Sequence, residues 1–171
     1  INWKKVHGKH HKWTGYQDLD PTTQSLVPRP LGSAERFIAN VCWGFSIPIF
    51  SVLYRVNNYW HLPRLTTFFT RTVALSLALN AVAVLGVYGV VVAVAGPSRV
   101  MHYAGLAVLV SLLIEDPLLL SQHTHVPQEL SGGESVKPFP ALAQEVYTRS
   151  LRFPDWLSVL LLNFDAHELH H

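Results

Sequence analysis

The feature that most constrains this chain is a run of 27 residues, 72–98, without a single Asp, Glu, Lys or Arg. About a quarter of the residues in an ordinary soluble domain are charged, so a run of that length would normally hold about seven. An α-helix rises about 1.5 Å per residue, and about 20 apolar residues cross a bilayer's hydrocarbon core. Residues 72–96 meet that requirement outright. Gly96-Pro97-Ser98-Arg99 then reads as a turn, and residues 100–121 form a second apolar stretch. Together they predict a transmembrane helical hairpin rather than the buried hairpin of a soluble core. Glu115 and Asp116 break the apolar character of the second helix, and ionisable residues in a span face a bundle interior or a site. Pro117 is expected to kink the helix there.

The rest of the chain divides by composition. Residues 1–36 are polar and basic-aromatic, with Lys4, Lys5, Lys9, Lys12, Trp3 and Trp13. Residues 37–56 are apolar but interrupted by Gly44 and Pro48, and are expected to be interfacial or re-entrant. Residues 122–171 form a polar, Pro- and Gly-punctuated cap. Its apolar run from Trp156 to Phe164 is too short to cross. Tyr59, Trp60 and Trp156 suit the membrane–water boundary. The predicted fold class is therefore all-α: an integral membrane helical protein, a transmembrane hairpin with a cytosolic cap. The net charge of +2 gives no argument for nucleic acid. The single cysteine, Cys42, excludes a disulfide framework within the chain and a Cys-rich metal site.

Of ten histidines, eight fall into three clusters. His7, His10 and His11 form one H-x-x-H-H motif, and His167, His170 and His171 form another. At 3.6 residues per turn, positions i, i+3 and i+4 share one helix face. Each motif thus presents three imidazoles together, a donor set suited to iron, zinc, copper or nickel. Six nitrogens exceed what one tetrahedral zinc needs. The middle cluster, Gln122-His123-Thr124-His125, spaces its histidines at i, i+2, where side chains diverge. Both are candidate ligands, with His123 favoured because it continues directly from the helix. His61 and His102 read as structural. Cooperation between the clusters requires one side of the membrane, hence an even number of spans between them, so residues 37–56 should not cross. Lys4, Lys5, Lys9, Lys12, Arg64 and Arg71 share that side, which the positive-inside rule makes cytoplasmic. Carboxylates that orient ligating imidazoles are expected nearby, with Asp20, Asp165 and Glu168 as candidates.

This pattern resembles the membrane fatty acid desaturases, a His-box di-iron family. Residues 7–11 (HGKHH) are similar to that family's second box and residues 167–171 (HELHH) to its third. Gln122-His123-Thr124-His125 resembles the element ahead of the third box in acyl-lipid desaturases of the Δ12/ω-6 type. Asn163-Phe164-Asp165-Ala166-His167 resembles the lead-in to that box. The resemblance covers essentially the whole chain. It implies two iron ions, O2, and two electrons from ferredoxin or cytochrome b5. It also implies an acyl chain carried on a lipid, CoA or a carrier protein as substrate. The departure is the family's first box, H-x(3,4)-H, which does not occur before His7. Ile1 is not a translation start, so the chain reads as a piece of a longer one, expected to be inactive alone.

Two other readings compete. A hydroxylase or ketolase of fatty acid, carotenoid or alkane could use the same boxes, and the element around His123 tilts against it. A His-rich metal transporter would place a polar pathway in mid-span, where residues 72–98 offer Ser76, Asn80 and Tyr88. The basic residues of 1–36 are expected to dock an acidic electron donor or to touch anionic headgroups.

Overall fold

The computed structural model describes residues 2–27 and 29–167, with the side chain of Glu115 left aside. Among these residues there is no strand. One isolated bridge joins Tyr16 and Glu129, and the remaining regular structure is helical, in keeping with the predicted class. The chain forms two compact units, residues 1–6 with 29–117, and residues 7–28 with 118–171. Helix α1 (Asn2–Trp13) gives its first residues to one unit and the rest to the other.

In the first unit, α3 (Ser33–Gly44) and α4 (Ile49–Arg55) are followed by a π-turn, Val56–Trp60, and by α5 (Leu62–Phe68). The hairpin follows as α6 (Arg71–Ala95) and α7 (Pro97–Val110), the latter continued by a second π-turn, Ser111–Glu115, and by α8 (Asp116–Ser121), which belongs to the second unit from Leu118 on. Arg71–Ala95 and Pro97–Ser121 are each 25 residues long and apolar enough to cross a membrane. The turn between them depends on Gly96, whose φ of 83° suits a residue without Cβ. Pro97 then occupies the first position of α7, where a missing N–H costs nothing. In α6, Leu77 and Ala81 are buried, while Leu75, Leu79, Val82, Leu85, Val90 and Val94 are exposed. A helix that shows apolar side chains nearly all round is built for a lipid solvent.

The apolar run over 37–56 forms a bent pair: Ser33–Gly44 and Ile49–Trp60 meet at 107°. The break falls between Gly44 and Pro48, with Ser46 at a φ of 54°. Pro117 sits just after the π-turn at 111–115. Its ring would clash with the carbonyl four residues back and it donates no hydrogen bond, and a wider turn is one way a helix absorbs both.

Val6, Leu65 and Leu77 form the apolar centre of this unit, with Tyr59, Leu62, Phe69 and Val73 against it. Asn80 donates to Asn2 Oδ1 at 2.9 Å, and Asn2 donates to the Tyr59 carbonyl at 2.9 Å. Asp116, one of the two acids singled out in the second span, pairs with Arg55 through two nitrogens at 2.7 and 2.9 Å. Arg55 also donates to Ser111 Oγ at 2.6 Å, and Ser51 donates to the Leu112 carbonyl at 2.7 Å. These bonds take up polar groups at the π-turn.

In the second unit, α2 (Pro21–Gln24), a 3-10 helix (Ala141–Tyr147) and α9 (Asp155–Leu160) are joined by long loops around the last turns of α1. Gly15, at a φ of 98°, lies against Tyr147, and a Cβ there would come within 2.7 Å of the ring. Tyr16, Phe139 and Tyr147 stack, with centroid separations of 4.7 and 4.9 Å.

Candidate metal centre

The buried stripe of α1 runs Asn2, Val6, His10, and continues at the same step of four to Thr14, just past the helix end. That phase puts His10 inside, with His7 and His11 half-buried beside it. Thr14 donates to the His10 carbonyl at 2.7 Å, taking up an acceptor near the helix end.

His10 is held by a carboxylate. Its Nδ1 lies 2.7 Å from Asp20 Oδ2, and Asp20 is fully buried. Asp20 also accepts from the Thr22 N–H at 2.9 Å, capping α2, and from the Thr23 hydroxyl. A carboxylate at Nδ1 keeps the proton on that nitrogen and leaves Nε2 as a lone-pair donor.

Three imidazoles meet through Nε2. His10 Nε2 lies 3.2 Å from His123 Nε2, and His123 Nε2 lies 2.8 Å from His167 Nε2. The rings stand nearly perpendicular, at 88° and 83°. All three are buried. His7 and His11 form a second pair, Nε2 to Nε2, at 3.0 Å. An imidazole nitrogen offers a single in-plane lobe, either N–H or lone pair. The His123 Nε2 cannot make two well-directed hydrogen bonds with that one lobe. Metal ligation accounts for such crowding: bonds of about 2.0–2.1 Å put neighbouring ligand nitrogens about 2.9–3.4 Å apart for octahedral or tetrahedral angles. The donor type and spacing fit a histidine-bound metal. Among the described residues the contacts remain pairwise, and no three His, Cys, Asp or Glu side chains close around one ion position.

Comparison with known families decides the class. The family model described as fatty acid desaturase matches residues 1–171. The chain belongs to the fatty acid desaturase family. No curated protein and no solved structure matched it. The family is membrane-bound, oxidoreductase in activity and known for di-iron, and membership suggests activity of the fatty acid desaturase or hydroxylase type.

The desaturase-family chain brings some of the expected residues together and not others. His123 contacts both His10 and His167, all three buried, and His7 and His11 share a contact. His125 is not brought to them: it is exposed, at a φ of 58°, as its i, i+2 offset from His123 implies. Asp20 holds an imidazole. Asp165 is engaged elsewhere, since Oδ2 accepts from Ser158 Oγ at 2.7 Å and its carbonyl accepts from the Leu151 N–H at 2.9 Å. Glu168, His170 and His171 lie outside the described residues.

Sequence reasoning passed over two buried amides. Gln144 donates to the His11 carbonyl at 3.1 Å and to the Phe139 carbonyl at 3.0 Å. Gln122 donates to the Phe164 carbonyl at 2.8 Å. Nothing local marks Gln144, whereas Gln122 stands directly before His123. The run Asp20-Pro21-Thr22-Thr23 did carry a readable signal, an Asp helix cap followed by Pro at the first helical position.

The opposite face of α1 is basic. Lys4, Lys5 and Lys12 are exposed, and Lys9 and Lys12 lie over the Trp13 ring at 5.9 and 5.4 Å. Burial, and then the neighbouring charge of Lys12, holds the Lys9 ammonium below its ordinary pKa.

Proposed function

We propose that the protein is a membrane fatty acid desaturase that introduces a cis double bond into an acyl chain, using O2 and two electrons. The observation that carries this reading is the meeting of His10, His123 and His167 through Nε2, with His10 set by Asp20. Alkyl C–H bonds are not acidic, so no side-chain base can open a methylene pair. When bound, two iron ions would supply the oxidant formed from O2. The acyl chain gives up two hydrogen atoms, that is two protons and two electrons, a further two electrons and two protons come from outside, and O2 is reduced to two waters.

The ligands we assign are His7, His10, His11, His123 and His167, with His170 and His171 following from the family's third box. Asp20 keeps the His10 proton at Nδ1, so that Nε2 faces the metal with its lone pair. Burial of the three imidazoles limits water around them. The apolar hairpin supports the membrane as the route by which an acyl chain arrives. The external electrons would come from an acidic donor such as ferredoxin or cytochrome b5, steered to the basic face of α1 by Lys4, Lys5, Lys9 and Lys12. Positive residues on the histidine side favour a cytoplasmic placement.

The test is expression of the full-length protein in a host with a simple fatty acid profile, followed by gas chromatography of total lipids. A new unsaturated acyl chain, lost on His123→Ala, is the expected result. A new hydroxyl or keto product with no new double bond would overturn the desaturase reading in favour of a hydroxylase or ketolase.

A further inference from the structure

Gln122 is fully buried, and its place in the chain is unusual. It directly precedes His123, and its side-chain Nε2 donates at 2.8 Å to the carbonyl of Phe164, three residues before His167. His123 and His167 are the pair whose Nε2 atoms stand 2.8 Å apart. One amide thus joins the two backbone segments that carry these imidazoles.

The same segments are also held by backbone. The Arg149 N–H donates to the Gln122 carbonyl at 2.9 Å, and the Leu151 N–H donates to the Asp165 carbonyl at 2.9 Å. Residues 149–151 therefore tie both segments without using any side chain. The Gln122 amide adds a third, direct tie at the level of the imidazoles. Its Oε1 is buried and has no hydrogen-bond partner among the described residues. A fully buried amide left half-satisfied is costly, which weighs against Gln122 being a generic core filler.

We propose that Gln122 is a positioning residue: its amide N–H sets the separation of His123 and His167 and so the affinity of the metal site. The inference rests on the reading of those two histidines as ligands. Removing groups that orient metal ligands commonly costs 10–100-fold in affinity. The backbone ties predict that the fold survives the loss.

The experiment uses the full-length protein in detergent micelles, stripped of metal and titrated with Zn²⁺, a probe that needs no oxygen chemistry. Gln122→Met keeps length and removes both polar atoms. Gln122→Glu keeps one acceptor oxygen and, ionised in a titration at about pH 8, sets a second oxygen in place of the donor. Thr148→Val, also buried in the same unit and with its hydroxyl on the Glu145 carbonyl, controls for the loss of a buried polar group. Both Gln122 variants should lose at least about tenfold in zinc affinity, with helical circular dichroism and the metal-free melting temperature close to those of the unaltered protein. Thr148→Val should bind zinc unchanged. Affinity within about twofold of the parent in either Gln122 variant would overturn the proposal. So would an equal loss in Thr148→Val, unfolding of both Gln122 variants, or an unaltered protein that binds no zinc. Failure of the desaturase reading shows separately, in the fatty acid profile.

Discussion

Asp20 does two jobs with one carboxylate: it caps α2 through the Thr22 N–H and fixes the His10 ring. Asp20→Asn can keep the cap, since both residues cap well, but it replaces the carboxylate at Nδ1 with a neutral amide. The expected result is a helix content near the original with metal affinity lowered about tenfold or more, read by zinc titration. Gly15 tests packing at the same scale. Gly15→Ala must adopt a positive φ and push its methyl into the Tyr147 ring, so thermal unfolding in micelles should show a loss of more than about 1 kcal/mol. Asp18 has a pH signature. Burial raises its pKa, but hydrogen bonds from the Ser131 hydroxyl and N–H outweigh this and hold the carboxyl below its ordinary value. A depressed folded-state pKa contributes stability above the ordinary carboxylate range, and that contribution is lost as pH falls through the folded value. The gap in unfolding midpoint between the parent and Asp18→Asn should therefore be widest near about pH 7 and shrink toward about pH 3.

Among the elements, α8 and the π-turn before it depend on the Arg55–Asp116 pair. Asp116 is nearly buried and Arg55 about a third exposed. Removing one partner of a buried pair costs about 3–5 kcal/mol, and the partial exposure of Arg55 lowers that expectation to about half. Asp116→Leu should destabilise the protein more than the double variant Arg55→Leu/Asp116→Leu, because the single change keeps the half-buried guanidinium and removes the carboxylate that faces it. The element scale is also where sequence reading was strongest. The hairpin was legible to within three residues, the largest difference being the second helix, expected from 100 and starting at Pro97, because length without charge is a property of the bare string. The helix carrying His7, His10 and His11 was legible because i, i+3, i+4 spacing is local. The π-turns were not, since Pro117 announces a disturbance but not how the helix accommodates it. Gln122 and Gln144 were illegible for a different reason: their partners, Phe164 and His11, lie 42 and 133 positions away.

For the molecule as a whole, the prediction concerns sidedness. An even number of spans, the expectation from the histidine clusters, predicts that the turn at Gly96 and the cap are reached from opposite faces of the membrane. With Cys42→Ser as background, a cysteine at Ser98 and another at Ser135 should react with an impermeant maleimide from opposite faces of sealed vesicles. Labelling of both from one face would mean that the histidine clusters are not where positive residues place them. The bent pair at 107° makes this worth measuring, because a broken helix that crosses would change the parity.

The shared stripe of α1 has an evolutionary consequence. Asn2 and Val6 settle the helix into one unit while His10 and Thr14 serve the other, all from one line of positions four apart. Each added or deleted residue rotates everything beyond it by about 100°. One insertion between Val6 and His7 would leave the motif intact in the alignment and swing all three imidazoles off the buried face. Substitutions can accumulate on the outer side of α1, but gaps there should be rare. The loop over residues 132–138, by contrast, can change length without turning any imidazole.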